Sequence, residues 1–221
     1  MTDRTRPAAE RLSDKDFDDV VDVLADAFSN YPVMRFVLGE GGNTAPRLTQ
    51  LIGFFVFRRM RLGGPMFGVR DKTGALVGAA VMTLPAEPEP PADVLQRRDD
   101  VWNSLGQDCR ERHDIYGAHA KTVLVSEPHH HLNMIGVRHS NHGRGLARPL
   151  LEAAVEIAAR DATSAGLTLT TETPANVRLY QHFGFEVFGH VLIAPELETW
   201  GLFKRHQNHR RLGPVTRDRR K

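Results

Sequence analysis

Apolar side chains recur along this chain at two spacings, which together predict alternating helices and strands. Between residues 13 and 28 they fall every three or four positions, as in a helix with one buried side, and Ser13 supplies an N-cap with Asp16 three residues later. The same patterns predict further helices over 45–62, 92–112, 146–162 and 175–183, and strands over 66–69, 75–84, 131–137, 167–171, 185–193 and 198–203.

The order of these elements predicts a mixed α/β sheet with helices on both faces. Residues 71–74 are typical of a hairpin turn between the first two predicted strands, and no segment of the chain repeats. With 221 residues, of which 41% are hydrophobic, the chain is long enough and apolar enough to bury one core.

The chain has one cysteine, Cys109, which excludes an internal disulfide and a zinc site built from several cysteines. It opens with no secretory apolar segment, and no apolar run approaches the length of a membrane span. We therefore expect a soluble, cytoplasmic protein with no membrane partner.

The net charge of +2 is unevenly distributed along the chain. Residues 204–221 hold eight lysines and arginines against one aspartate, whereas the rest of the chain has 21 basic and 26 acidic residues. This pattern predicts a basic, disordered tail over 206–221. A weak contact with nucleic acid or an anionic surface is the alternative, and the lack of aromatic residues after Phe203 argues against single-stranded nucleic acid as a partner.

A glycine-rich turn links the strand predicted over 131–137 to the helix that follows. In the segment Asn-His-Gly-Arg-Gly-Leu-Ala, residues 141–147, Gly143 and Gly145 allow a ligand to approach the backbone closely. Unpaired backbone N–H groups and the helix dipole favour an anion at such a turn. Because the P-loop and dinucleotide signatures are absent, the turn predicts a pyrophosphate site of another kind, with simple chain reversal as the alternative.

The run from residue 131 to residue 147 resembles motif A of the GNAT superfamily of N-acetyltransferases, and residues 172–185 are similar to its motif B. Further features resemble the puromycin N-acetyltransferase-like branch: residues 27–32 with Arg35, the acid Glu172 before Tyr180, and the Thr-Trp pair at 199–200. The resemblance covers about residues 10–205. It implies a GNAT fold, α/β with a mixed, mostly antiparallel sheet, a V-shaped splay and helices on both faces. We therefore expect a flexible N-terminus over 1–10 and a single acetyltransferase domain over 11–205.

The resemblance implies acetyl-CoA as the cofactor, with CoA as the product. Its expected contacts are the strand backbone, the turn with the start of its helix, and one amide side chain: Ile135, Gly136, Val137, His142, Gly143, Arg144, Gly145, Leu146, Ala147, Arg148 and Asn176. The family has Gln or Arg where this chain has His142. A neutral imidazole donates one hydrogen bond and a protonated one adds charge, so we expect weaker cofactor affinity or a dependence on pH.

Two residues are candidates for catalysis. Tyr180, four residues after Asn176 and so on the same side of a short helix, has an O–H that can protonate the departing thiolate. Glu172, at the end of a predicted strand, can attract an ammonium group or accept its proton. Packing is the alternative for Tyr180 and a solvated surface acid the alternative for Glu172; in the latter case His130 or His131 is the alternative base.

Tyr31, Arg35 and His131 are the candidates for the substrate-binding wall. The run His129–His131 also raises the question of a metal, but side chains alternate across a strand, so only its first and last members share a face. No Asp, Glu or Cys obviously completes a site with them, and we expect no metal.

These observations predict an N-acetyltransferase that moves an acetyl group from acetyl-CoA to a small-molecule amine by direct, ternary-complex transfer. Two alternatives stay open: a catalytically silent CoA-binding regulatory module, and an acetyltransferase acting on a protein or a nucleic-acid-bound acceptor. A homodimer is left open as well, and the sequence does not name the acceptor.

Overall fold

Seven strands form one sheet in the order β1-β2-β3-β4-β5-β7-β6 in a computed structural model, which describes residues 8–39, 41–42 and 44–206. All neighbouring strands are antiparallel except β4 and β5, which confirms the expected mixed, mostly antiparallel sheet. The strands are β1 (Glu10–Arg11), β2 (Met66–Arg70), β3 (Leu76–Thr83), β4 (His130–Val137), β5 (Gly166–Thr171), β6 (Glu186–Ala194) and β7 (Leu197–Arg205). The helices are α1 (Phe17–Ala27), α2 (Pro32–Leu38), α3 (Ala45–Arg61), α4 (Ala92–Leu105), α5 (Gln107–Lys121), α6 (Ala147–Arg160) and α7 (Pro174–His182).

Helices cover both faces of the sheet. Buried apolar side chains of α1, α2, α3 and α4 form one large cluster with β3 and β4, and those of α6 and α7 form another with β2, β3 and β5. Because the two clusters lie on opposite faces, each face of the central strands packs against helices.

The parallel strands β4 and β5 pair only at the start of β4 and then separate. Their register runs from His130 opposite Leu167 to Leu132 opposite Leu169, whereas β4 stays paired with β3 up to Val137. The N–H of Arg138 donates to the Val77 carbonyl of β3 at 2.9 Å. Since successive residues turn their polar groups to opposite edges of a strand, those of Ile135 and Val137 face the gap on the β5 side. This gap is the expected V-shaped splay.

One helix prediction is wrong in a way that affects the site. The segment predicted as a single helix over 92–112 forms two helices, because Gly106 takes a φ of 92° that only glycine adopts readily. The second of them, α5, continues to Lys121. Helix α2 was not predicted either; it begins with Pro32 at its first position, where the missing N–H costs nothing.

Parts of the expected domain limits lie outside the described residues, namely residues 1–7 of the N-terminus and 207–221 of the basic tail. Glu10, the last residue of the expected N-terminal segment, lies in β1 opposite Gly68 of β2. Within the described ranges, no helix combines the length and the apolar character that crossing a membrane requires.

Candidate active site

Two cavities lie on either side of the splay and share a wall. The inner cavity, of about 230 Å³, lies between the sheet and helices α1, α2, α3 and α5. The outer cavity, of about 560 Å³, runs from the glycine-rich turn along the splay to α7. The residues that line both cavities, and so form their shared wall, are Phe28, Tyr31, Ile135, Asn176 and Tyr180.

The glycine-rich turn forms one end of the outer cavity. Gly143 and Gly145 have φ angles of 75° and 72°, and a Cβ at either position would meet nothing within 4 Å. The backbone conformation therefore demands glycine, while the space above the turn stays open. Because α6 begins at Ala147 directly after the turn, its first N–H groups and its positive dipole end face this space. The arrangement can bind an anion such as a pyrophosphate.

The basic residues of the turn do not all face the cavity. Arg148 lines it, stacked at 4.8 Å over the ring of Phe183. Arg144 is exposed and lies outside the cavity lining. The side chain of His142 is already engaged, because its Nε2 lies 2.8 Å from the Val137 carbonyl and must carry the proton there. A neutral His142 therefore presents a bare Nδ1, and only the protonated ring adds a donor for an anion.

The splay exposes backbone groups along the outer cavity. Ile135 offers both its N–H and its C=O to the gap, and Val137 offers its N–H, since His142 occupies its carbonyl. Gly136 has a packing reason to be glycine, because a Cβ there would lie 2.6 Å from that of Ala27 at the end of α1. The free groups of Ile135 and Val137 suit a ligand that carries amides along an extended arm.

Asn176 and Tyr180 lie one turn apart on α7, at the shared wall. The Asn176 Nδ2 donates to the Thr171 hydroxyl at 3.3 Å, which leaves its Oδ1 as an acceptor. Tyr180 is 8% exposed, its ring meets Phe185 edge-on at 5.9 Å, and its hydroxyl has no hydrogen-bond partner within the described ranges. Burial and the nearby Glu172 carboxylate raise the pKa of Tyr180, so its phenol keeps its proton at neutral pH.

Glu172 is a buried carboxylate, 7% exposed, at the inner side of the shared wall. Its Oε1 accepts hydrogen bonds from the Tyr116 hydroxyl at 2.8 Å and from the Thr199 hydroxyl at 2.7 Å. Burial raises the pKa of Glu172 although these hydrogen bonds oppose the shift. A base with a raised pKa that is held on one oxygen can take a proton on the other.

Tyr31 closes the wall from the α1–α2 connection. Its hydroxyl accepts the N–H of Glu172 at 3.2 Å and lies 2.9 Å from the Thr171 hydroxyl, while its ring packs against Phe28 at 4.9 Å. Burial raises the pKa of Tyr31. The hydroxyl thus fixes the end of β5, and the ring is what Tyr31 presents to both cavities.

His130 and His131 face opposite sides of β4. His130 is buried away from the cavities, with Nε2 3.0 Å from the Asp161 carboxylate and Nδ1 3.2 Å from the Thr83 carbonyl. It links β4 to the end of α6, so the structure removes it as an alternative base. His131 lines the inner cavity, where burial and then the charge of Arg59 lower its pKa to about 3.

The structure brings most of the predicted site residues together but leaves some apart. Glu172, Tyr180, Asn176, Tyr31 and His131 all line the inner cavity. Arg35 is exposed on the far side of α2 and lines neither cavity, because α2 turns its neighbours Met34 and Val37 inward instead.

The polar residues of the inner cavity that were not predicted include Tyr116 and Arg59. Tyr116 lies on the part of α5 that the sequence pattern did not predict, and Arg59 lies in the last turn of α3, where a basic side chain is usually solvated. A helix continued past residue 112 would have included Tyr116; nothing in the sequence distinguishes Arg59 from its basic neighbours. Among the residues that the structure describes, no three His, Cys, Asp or Glu side chains come close enough to hold a metal ion.

Comparisons with known proteins bear on the fold and on one part of the chain. The family model of the acetyltransferase (GNAT) domain matches residues 109–187. The chain is similar to a structure described as histone acetyltransferase HPA2 and related acetyltransferase from Corynebacterium glutamicum, with 19% identity, a TM-score of 0.67, and coverage of 90% of this chain and 96% of that one. A search of the curated proteins finds no significant match.

Two further solved structures have the same fold. Arylalkylamine N-acetyltransferase 2 from Aedes aegypti is 17% identical, with a TM-score of 0.62 and coverage of 91% of this chain and 99% of that one. The C-terminal condensation domain of Ebony in complex with beta-alanyl-dopamine is also 17% identical, with a TM-score of 0.62 and coverage of 90% and 99%. The fold of this chain is therefore the GNAT fold, residues 109–187 match the acetyltransferase (GNAT) domain model, and the protein is an acyltransferase.

Proposed function

We propose that this acyltransferase moves an acetyl group from acetyl-CoA to the amine of a small molecule, with both substrates bound at once. The observation that carries the proposal is the meeting of the two cavities at Tyr180, with the Glu172 carboxylate on the inner side. One cavity suits a long anionic cofactor and the other a compact acceptor.

The outer cavity fits acetyl-CoA by its own features. The open turn at Gly143 and Gly145, with the start of α6 and Arg148, would hold the pyrophosphate. The gap-facing groups of Ile135 and Val137 would hold the amides of the pantetheine arm. Bound there, acetyl-CoA supplies an acetyl group activated as a thioester.

Glu172 and Tyr180 then divide the proton transfers between them. Glu172 attracts the acceptor's ammonium group and takes its proton on the free oxygen, which produces the neutral amine that acyl transfer needs. Tyr180 keeps its phenol protonated and donates toward the departing sulfur. Asn176 orients the pantetheine end through its free amide oxygen.

Direct transfer is favoured by what the shared wall contains. Its lining residues include no cysteine or serine that could carry the acetyl group as a covalent intermediate. Cys109 is buried elsewhere, in contact with the guanidinium of Arg47, and lines neither cavity.

A small acceptor is favoured by the size of the inner cavity, about 230 Å³. Two proteins of the same fold are named for small amines or solved with an amine-derived molecule, the arylalkylamine N-acetyltransferase and the Ebony domain with beta-alanyl-dopamine. A relationship to the puromycin N-acetyltransferase-like branch remains a prediction from residues 27–32 and the Thr-Trp pair at 199–200.

Calorimetry and an acetylation assay together test the proposal. Acetyl-CoA and CoA should each bind saturably, and the protein should release thiol from acetyl-CoA in the presence of a suitable primary amine, with the acetylated amine identified by mass spectrometry. Saturable CoA binding without acetylation of any amine in a broad panel would favour the silent CoA-binding module instead.

A further inference from the structure

The inner cavity has a second polar end, opposite Glu172 along β5. The Tyr116 hydroxyl contacts Thr170 and Glu172, and His131 contacts Thr168. These three residues of β5 and its end, each two positions apart, therefore lie on the same face of the sheet. At the rise of a strand, four residues separate Thr168 from Glu172 by roughly 13 Å. The acceptor's amine belongs at the Glu172 end, so the far end recognises another part of the molecule.

At the far end, His131 is a hydrogen-bond acceptor. We assign the single proton of the Thr168 hydroxyl to the His130 carbonyl, 3.3 Å away, which makes this hydroxyl the acceptor for His131 Nδ1 at 2.9 Å. The neutral ring therefore carries its proton on Nδ1 and presents the lone pair of Nε2. Within the described part of the chain, Nε2 has no hydrogen-bond partner and is not sealed from the cavity.

Beside His131, Arg59 is a hydrogen-bond donor. Its side chain is 19% exposed, and its Nη1 donates to Glu87 at 2.5 Å, which offsets its charge. The Nε and Nη2 groups of Arg59 have no hydrogen-bond partner among the described residues. Arg58 binds the same Glu87 carboxylate at 3.0 Å but does not line the cavity.

Between the two polar ends the cavity walls are mostly apolar, although Asn133 and His113 also line the cavity. Its walls there come mainly from α2, α3 and β3: Val33, Met34, Val37, Leu51, Phe55 and Val81. Its volume of about 230 Å³ exceeds the roughly 150 Å³ of an engineered cavity that holds benzene in another protein. One ring with a short chain fits this space.

We propose that the acceptor is a primary amine with a ring-sized apolar body and a hydroxyl at its far end. Arg59 donates to the hydroxyl oxygen, and the hydroxyl donates to Nε2 of His131. Among common groups, a hydroxyl matches this pair because it both accepts and donates; a carboxylate would meet the lone pair of His131, and an ether has no proton to give. The inference rests on the proposed function for the placement of the amine at Glu172.

The test is binding of matched amines by calorimetry in the presence of CoA. The probes are tyramine, phenethylamine, 4-methoxyphenethylamine and 4-(2-aminoethyl)benzoate. Tyramine should bind at least about tenfold more tightly than the others, because a site built to hydrogen-bond a hydroxyl leaves buried groups unpaired when the hydroxyl is missing.

Two variants assign that preference to its residues. Arg59→Met and His131→Phe should each bring tyramine to within about threefold of phenethylamine while phenethylamine still binds. Arg58→Met is the matched control: it removes the same charge from the same Glu87 carboxylate outside the cavity, and tyramine should keep its preference. Thermal unfolding of each variant shows whether it is folded.

The outcomes separate this inference from the proposed function, because binding and acetyl transfer are measured independently. Tyramine that binds selectively but is not acetylated from acetyl-CoA leaves the inference standing and counts against the proposed function. Tyramine acetylated with no preference over phenethylamine overturns the inference and leaves the proposed function standing. The inference also falls if no probe binds, if the benzoate binds most tightly, or if Arg58→Met acts like Arg59→Met.

Discussion

The hydroxyl of Tyr116 donates a 2.8 Å hydrogen bond to the carboxylate of Glu172, across 56 residues of sequence. It joins the middle of α5 to the end of β5, and Thr199 of β7 completes the support on the same oxygen. Because Tyr116 and Thr199 both donate to Oε1, the geometry fixes Glu172 while leaving Oε2 as the position for a proton.

Replacing Glu172 by glutamine should separate activity from stability. We expect Glu172→Gln to lower kcat/KM about 100-fold or more, since the base is gone while the amide oxygen still accepts from Tyr116 and Thr199. Burial raises the pKa of Glu172 in the folded state. The wild type therefore loses stability as the pH rises from the pKa of this residue in the unfolded chain through its higher pKa in the folded protein, whereas the neutral amide of the variant does not ionise. At pH 8 the variant should therefore unfold at the same temperature as the wild type or higher, as measured by calorimetry from pH 5 to 9.

The variant Tyr116→Phe tests the same group through its partner. The Tyr116 hydrogen bond lowers the pKa of Glu172, against the effect of burial, so its loss should move the acid limb of the pH–rate profile to higher pH. We expect about a tenfold drop in rate at pH 7, the equivalent of one hydrogen bond. An unchanged acid limb in Tyr116→Phe together with full activity in Glu172→Gln would remove Glu172 as the base.

The variant Tyr180→Phe should affect catalysis and spare cofactor binding. The Tyr180 hydroxyl has no hydrogen-bond partner among the described residues, so its removal disturbs no hydrogen bond there and leaves the ring packed on Phe185. Loss of a general acid should lower kcat by about 10²–10⁴. The Kd for CoA, measured by calorimetry, should stay within about twofold; a kcat within about threefold of the wild type would exclude the role.

The variant Gly145→Glu should weaken CoA binding through charge and not through misfolding. Gly145 has a φ of 72° with open space above it, so glutamate adds backbone strain and places a carboxylate where the pyrophosphate is expected. Gly74→Glu is the matched control, because Gly74 has a φ of 86° and equally open surroundings in the turn between β2 and β3. We expect at least about a 100-fold weaker Kd for Gly145→Glu and an unchanged Kd for Gly74→Glu. Equal weakening in both would assign the effect to strain.

The sequence predicted the parts of the site that local patterns describe. The turn with Gly143 and Gly145 and the pair Asn176 and Tyr180 each depend on spacing within one short segment, and the structure places them where that spacing implies. Tyr116 was missed because α5 has no strong apolar stripe to show that it continues beyond residue 112.

Other roles depend on which way an element turns, which no local pattern decides. Arg35 lies on α2 as close to Tyr31 as the spacing suggests, yet the buried neighbours Met34 and Val37 turn it outward. Gly136 is explained only by the approach of Ala27 from a distant helix. Residues that meet through tertiary packing alone therefore require the structure.

The neutral state of His131 should make the protein less stable in acid. In the folded state burial and Arg59 lower the pKa of His131 to about 3, whereas a histidine in the unfolded chain takes up its proton near pH 6.5. Between these values unfolding gains a proton, so the free energy of unfolding falls as the pH decreases, by at most about 1.4 kcal/mol per pH unit from this residue. In His131→Phe, the slope of that free energy between pH 4.5 and 6.5, measured by urea unfolding, should be smaller by up to this amount. The lost hydrogen bond to Thr168 shifts the whole curve but not its slope. His131→Leu, with a different shape and no titrating group, should show the same reduced slope; variant and wild-type curves that run parallel would mean that His131 is protonated in the folded state and is no acceptor.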